Sequence, residues 1–237
     1  MPTLDSTELV SLAKQLNLVS VVSYLLPLLV CIWRWPSLLP EHRRFILGAL
    51  LTSLTLNILS EVGRQVWHSN ILFIYLIAWT ETLFLSWVYY HAFHTLRNRR
   101  WLLIGVALFV LVASFESFYL HGLYGARTYT RVSQSILLVG AALVYFEQVL
   151  RELRNIRLER DPVFLVSVGV TLYYSGTLMV FVLEDSMHKQ QQTNQIWVMY
   201  IVESILLIGF NILLAIALRH AGRSVPSHSL PSSASSN

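Results

Sequence analysis

Seven long apolar runs separated by short polar segments dominate the sequence. The runs lie at residues 17–33, 45–63, 71–96, 101–120, 129–150, 163–183 and 195–218. Most are close to the length of about 20 residues at which an α-helix crosses a hydrocarbon core of about 30 Å. The runs lack the alternation of barrel strands, and an open sheet would leave backbone groups unpaired in lipid. The pattern therefore predicts an all-α, polytopic membrane protein built as a bundle of seven transmembrane helices.

The composition also indicates that lipid is the main solvent of this chain. Of its 237 residues, 55% are hydrophobic and 13% are charged, and the mean hydropathy is +0.57. A soluble domain of this length is normally far less apolar. The net charge of +4 arises from short basic clusters between the runs, so we expect no nucleic-acid partner. The single cysteine, Cys31, excludes an intrachain disulfide and a zinc site built from cysteines.

The basic residues predict how the bundle is oriented. One side of the runs holds twelve Lys and Arg residues and the other side holds five. Because the richer side is normally cytoplasmic, we expect the N-terminus outside and the C-terminus in the cytosol of a cell membrane. Residues 1–13 are then an extracytoplasmic segment, 14–220 the seven-helix domain, and 221–237 a disordered Ser- and Pro-rich tail. The arginine-rich stretch 151–160 is predicted to continue the fifth helix.

Ionisable side chains inside the apolar runs are the features that point to a functional site. They are Glu61, Arg64, Glu81, Glu116, Arg131 and Glu203. A charge at membrane depth costs about 2.5–3.5 kcal/mol or more, so these groups are expected to face the protein interior or a water-filled cavity. Four carboxyls and two guanidiniums leave two acids that need a proton, a cation or hydrogen-bond donors.

Polar residues at helical spacing accompany these charges on the second, fifth, sixth and seventh runs, which predicts one pocket open to the outer side. The pocket should bind a small molecule or a lipid. The alternative is that the same groups only hold the helices together. The predicted pocket residues are Asn57, Glu61, Arg64, Glu81, Glu116, Arg131, Gln134, Tyr173, Tyr174, Tyr200 and Glu203.

Two kinds of cofactor site do not fit the sequence. A retinal protein needs a lysine in the seventh helix, but the two lysines, Lys14 and Lys189, lie in flanks or loops. A seven-span zinc hydrolase of the ceramidase and adiponectin-receptor type needs several histidines at membrane depth. Here the close pair is His91 and His94 at the inner end of the third run. We therefore predict no metal and no cofactor.

The carboxylates on the second and seventh runs, Glu61 and Glu203, give the chain a resemblance to the fungal-type membrane terpene cyclases, which have the same size and number of spans. The resemblance implies that these two residues perform acid-base chemistry on an apolar substrate. The chain departs from that family at Ser60, where the family has Trp, and at Glu203, where it has Asp.

The runs DPVFLVSVGVTLYYSGTLMVFVL, RTYTRVSQSILL and IYLIAWTETLFLSWVYY resemble an uncharacterised group of bacterial seven-span membrane proteins. Such proteins are often found beside sensor histidine kinases. The resemblance implies a sensory role in a bacterial inner membrane, with a histidine kinase as a cytoplasmic partner. Our leading hypothesis is a sensory or ligand-binding protein that signals through its basic cytoplasmic face by helix shifts. A membrane enzyme and a proton-coupled carrier are the alternatives.

Overall fold

The computed structural model describes residues 6–37, 40–66, 70–117, 128–151, 161–189 and 193–221. These residues form α-helices and one short 3-10 turn, Trp35–Ser37, and contain no strand. The helices are α1 (Ser6–Ser23), α2 (Leu25–Trp33), α3 (Pro40–Val66), α4 (Ile71–Ala92), α5 (Leu96–Phe115), α6 (Thr128–Arg151), α7 (Pro162–Lys189) and α8 (Thr193–His220).

The helices supply seven segments that are long and apolar enough to cross a membrane. The first span consists of α1 and α2, and each later helix is one span. Large apolar side chains such as Leu29, Leu111 and Met179 are more than half exposed on the outside of the bundle, as positions facing lipid should be. The predicted all-α, seven-span fold is confirmed, and the protein is a multi-pass membrane protein.

The spans form a ring that closes between the first and the last of them. α8 packs against α7 on one side and against α1 and α2 on the other, and α2 also packs against α3. α4 lies at the centre of the other half, where it contacts α3, α5, α6 and α7. α5 packs on α4 and α6 from outside the ring. Side chains of α4 and of the first span can therefore meet those of α6, α7 and α8.

Several helix bounds differ from the predicted ones. α4 ends at Ala92 rather than at 96, and α5 begins at Leu96 rather than at 101. The backbone of Phe93 is extended, and Thr95 caps the start of α5. The side chain of Gln148, on α6, donates to the Ala92 carbonyl at 3.3 Å. Hydrogen bonds therefore set this connection, whereas the apolar pattern continues beyond it.

The chain ends also differ in part from the predictions. α1 begins at Ser6, so most of the segment 1–13 that was expected to precede the bundle is helical. The predicted continuation of the fifth helix over 152–160 lies outside the described residues. The predicted tail does so as well, from 222 onward.

Pro27 explains why the first span is two helices. A proline has no backbone N–H, and its ring clashes with the carbonyl four residues earlier, which here belongs to Ser23. α1 accordingly ends at Ser23, and Tyr24 forms a turn in which its N–H donates to the Val21 carbonyl at 3.3 Å. The side chain of Tyr24 is buried in the bundle.

Two glycines on α7 allow this helix to approach α8 closely. A Cβ atom added at Gly176 would lie 2.5 Å from a methyl carbon of Leu206. A Cβ atom added at Gly169 would lie 3.1 Å from the ring of Phe210. Small residues at helix contacts have this effect in membranes, where close backbone packing replaces the hydrophobic driving force.

Candidate functional site

Glu81 lies in the middle of α4 and is only 9% exposed. Its Oε1 accepts a hydrogen bond from the Tyr24 hydroxyl at 3.0 Å, and its Oε2 accepts one from the Tyr174 hydroxyl at 3.1 Å. The two tyrosines come from the break in the first span and from the middle of α7. The carboxyl group thus joins three spans, and two donors offset part of the cost of its burial.

α6 adds a chain of polar contacts to this carboxyl. The amide nitrogen of Gln134, which is fully buried, lies 3.4 Å from the Tyr174 hydroxyl and 3.3 Å from the Ala78 carbonyl. The Gln134 carbonyl oxygen accepts a hydrogen bond from Arg131 at 3.4 Å. The amide therefore connects the guanidinium of Arg131 to the tyrosine that holds Glu81.

α8 contributes the second acid of the site. Arg131 interacts electrostatically with both Glu81 and Glu203, so both carboxyls are within electrostatic reach of one guanidinium. Tyr173 interacts electrostatically with the same three groups and stacks on Phe210 of α8, with ring centroids 5.6 Å apart. We refer to this group of residues as the Glu81 cluster. It comprises Tyr24, Glu81, Arg131, Gln134, Tyr173, Tyr174 and Glu203.

The charges of the Glu81 cluster are unequal. With both carboxyls and the guanidinium ionised and the tyrosines neutral, Glu81 and Glu203 carry two negative charges against the one positive charge of Arg131. Opposite charges attract strongly at low dielectric, so an excess carboxylate in a bundle interior favours uptake of a proton, a cation or a strong hydrogen-bond donor. The tyrosine rings beside the acids provide faces on which a cationic group can stack.

Glu61 and Arg64 form an ion pair on α3. Their Oε1 and Nη2 atoms are 2.6 Å apart, and the side chain of Arg64 is 47% exposed. Asn17 of α1 approaches Glu61 Oε2 at 3.5 Å, the long limit of a hydrogen bond. The predicted neighbour Asn57 donates to the Ser53 carbonyl of its own helix at 2.8 Å. Of these predicted pocket residues, Glu61 links α3 to α1, whereas the hydrogen bond of Asn57 and the ion pair of Arg64 lie within α3.

Glu116 follows directly after α5 and is almost fully buried. Its carboxylate accepts hydrogen bonds from the backbone N–H groups of Tyr129 at 3.1 Å and Thr130 at 2.7 Å, and from the Thr130 hydroxyl. The first N–H groups of a helix have no partner within it and carry partial positive charge. Glu116 thus stabilises the start of α6, although it had been predicted to line the pocket.

The last predicted pocket residue, Tyr200, lies one helical turn before Glu203 on α8. Its ring packs edge-on against Trp197, with centroids 6.0 Å apart. Tyr200 lies closer to the N-terminal end of α8 than Glu203 of the Glu81 cluster does. This position agrees with an aromatic side chain near the membrane boundary.

Tyr24 is the site residue that the sequence pattern did not reveal. A tyrosine in an apolar run is commonly a core or boundary residue, and no charge lies beside it. The available signal was Pro27, because a helix break inside a span turns neighbouring side chains to new directions. Next to Tyr24, the Ser23 hydroxyl accepts a hydrogen bond at 2.8 Å from the buried Asn211 of α8.

The fold and the Glu81 cluster together define a multi-pass α-helical membrane protein with a buried acid, arginine and tyrosine site. Comparisons with protein-family models, with curated proteins and with solved structures find no match. The resemblances to bacterial seven-span proteins and to terpene cyclases therefore stay predictions. Within the described ranges, no three His, Cys, Asp or Glu residues are grouped in a way that could hold a metal ion.

Proposed function

We propose that this chain is a sensory membrane protein of the ligand-binding type, and that its ligand binds at the Glu81 cluster. The observation that carries the proposal is that five of the seven spans contribute a polar or charged side chain to this one place. An interhelical hydrogen bond is worth about 0.6 kcal/mol on average, whereas burying a charge costs several times more. Assembly of the bundle alone does not account for so costly a set of groups.

The charge balance of the cluster indicates the kind of ligand. Glu81 and Glu203 share one guanidinium, so a ligand with a cationic or hydrogen-bond-donating group would complete the site. The remaining surroundings are apolar and aromatic, as in the interior of most small-molecule sites. A small molecule or lipid with an apolar body and one such polar group is the best fit.

Sensing would use the helices that the cluster joins. At the other end of the bundle, Arg34 of the first span donates to the carbonyl of Arg219 on α8 at 2.8 Å. Gln148 of α6 is bonded there to the end of α4. A ligand that shifts α4, α6 or α8 would therefore change the arginine-rich end. If the predicted orientation holds, that end is available to a cytoplasmic partner such as a histidine kinase.

Native mass spectrometry of the purified full chain tests the proposal. We expect the wild-type protein to retain one small molecule or lipid species beyond bulk phospholipid. Glu81→Gln combined with Glu203→Gln should reduce the retained fraction on the order of tenfold, the loss that follows from about 1.4 kcal/mol. Glu61→Gln is the matched control, since it removes an intramembrane carboxyl outside the cluster, and it should retain the species.

Two results would contradict a ligand site at the cluster. One is that wild-type protein carries only bulk phospholipid, with the same profile in the double variant. The other is that Glu61→Gln loses the bound species as completely as the double variant does, since the loss would then not depend on the Glu81 cluster.

A proton-coupled carrier is the second candidate, because acidic side chains inside a helical bundle, as Glu81 and Glu203 are, commonly mark the proton pathways of pumps and transporters. Vesicles containing the protein separate the two functions. Accumulation of the retained molecule that follows an imposed pH gradient supports the carrier, and binding without accumulation supports the sensor. The enzyme alternative is less favoured, because one of its two proposed acids, Glu61, contacts Arg64 at 2.6 Å and lies outside the Glu81 cluster, which contains the other acid, Glu203.

A further inference from the structure

One face of α5 is exposed along the whole helix. Because α5 packs on α4 and α6 from outside the ring, its other side is left to the lipid. Trp101 is 67% exposed and Leu111 is 65% exposed, and they are about 15 Å apart at the helical rise, which is the depth of one leaflet. The exposed apolar residues of this face are Trp101, Ile104, Leu108, Leu111 and Phe115.

The Trp101 end of this face is strongly basic. Arg97 lies in the first turn of α5 and Arg100 directly after it; both are exposed, and the first turn contains no acidic residue. Arg99 has partners in the protein: its Nε donates to the Phe93 carbonyl at 2.9 Å, and its guanidinium lies 5.2 Å from the centre of the Tyr90 ring. Two guanidiniums therefore remain at the surface directly beside the indole.

These arginines do not stabilise the helix that carries them. The start of a helix has a partial positive charge, so acidic side chains are favoured there and basic ones are disfavoured by a few tenths of a kcal/mol. An anion bound between Arg97 and Arg100 would offset this repulsion. The guanidinium group is suited to that role because its N–H donors match the oxygens of a phosphate in pairs.

We propose that this face of α5 is a binding site for one anionic phospholipid. The phosphate lies between Arg97 and Arg100, the glycerol region lies at Trp101, and an acyl chain follows Ile104, Leu108 and Leu111. An indole prefers the boundary between headgroups and hydrocarbon, and basic clusters beside a span attract anionic lipids. A free phosphate would not use the apolar part of the face, and a soluble partner would not reach it.

The site is independent of the ligand at the Glu81 cluster and is tested on the full chain. The purified protein is mixed with equal amounts of phosphatidylglycerol and phosphatidylcholine of the same acyl chains, and retained lipid is measured by native mass spectrometry. We expect wild-type protein to prefer phosphatidylglycerol. Because the proposed site holds the phosphate by charge-assisted hydrogen bonds from both guanidiniums, which an arginine elsewhere at this end does not supply, Arg97→Gln with Arg100→Gln should reduce this preference at least roughly tenfold.

Arg44→Gln is the matched control, since Arg44 is an exposed arginine on α3 at the same end of the bundle. It should keep the wild-type preference. A Trp101→Ala variant should retain less of both lipids, because the indole contacts the part that they share. Equal loss of preference in Arg44→Gln would overturn the proposal. So would the absence of preference in wild-type protein, or displacement of the lipid by millimolar inorganic phosphate alone.

Discussion

A carboxyl group in the interior of a membrane bundle is stable only while hydrogen-bond donors or positive charge surround it. Glu81 has two tyrosine hydroxyls from two other spans and the nearby guanidinium of Arg131. Each of these partners contributes to the affinity between the helices as well as to the site. The same residues therefore influence stability and, under the proposed function, ligand binding.

Tyr24→Phe should destabilise the protein, because it removes a donor from a buried carboxylate and leaves the ring in place. Hydrogen bonds to charged groups are worth about 1.5–3 kcal/mol, and those in membranes are at the lower end, so we expect a loss of about 1–2 kcal/mol. Thermal unfolding in detergent measures it. Tyr129→Phe is the control, since that tyrosine is 58% exposed. Equal effects in both variants would show that the Glu81 contact contributes nothing.

Residue chemistry also determined which parts of the site could be predicted from the sequence. Glu81, Arg131 and Glu203 can be identified from the sequence, because a charge in an apolar run costs free energy whichever way its side chain points. The role of Glu116 could not be identified in this way. Its carboxylate accepts hydrogen bonds from backbone N–H groups of another helix. A sequence pattern does not predict which helix will begin next to a given carboxylate.

At the scale of the elements, the close contact of α7 with α8 brings Tyr173 within electrostatic reach of Glu203. Gly169 lies in this contact next to Phe210, and the Phe210 ring is itself stacked on Tyr173. The ring has little freedom to move away from an added atom. The distance between the two helices is therefore sensitive to a single methyl group.

Gly169→Ala should lower the free energy of unfolding by about 1–2 kcal/mol, the usual cost of overpacking a well-packed contact. Gly140→Ala should be neutral or stabilising by up to about 1 kcal/mol, because a Cβ there meets nothing within 4 Å and alanine favours a helix. Denaturation of the two variants in the same detergent compares them. A ranking in the opposite order would mean that α7 and α8 are not held as close as described.

Element bounds show where hydropathy stops being informative. The seven spans follow from the length of the apolar runs, and all seven were predicted. The connection between α4 and α5 was missed because the residues around it, from Phe93 to Leu96, are still partly apolar. Caps and hydrogen bonds from a third helix end these helices, and such contacts depend on the tertiary structure.

For the whole molecule, the seven spans of the described residues predict that the two chain ends lie on opposite sides of the membrane. We expect the C-terminus in the cytosol, because twelve of the seventeen basic residues belong to that side. A reporter that fluoresces only in the cytosol, fused to the C-terminus of the full chain in a bacterial host, should be bright. An epitope at the N-terminus should be accessible to antibody in cells with an opened outer membrane. The reverse pattern would contradict the predicted orientation.

The ring of spans is completed by α8, the last of the seven described spans to be synthesised. α8 packs against α1 and α2, and it brings both Glu203 and the hydrogen bond from Asn211 to Ser23. Until the ribosome has released α8, the earlier helices lack these partners and the open side of the ring faces lipid. A nascent chain that stops before α8 therefore leaves Ser23 and the side chains of the Glu81 cluster open to lipid on that side, and we expect quality-control proteases to degrade it faster than the finished protein.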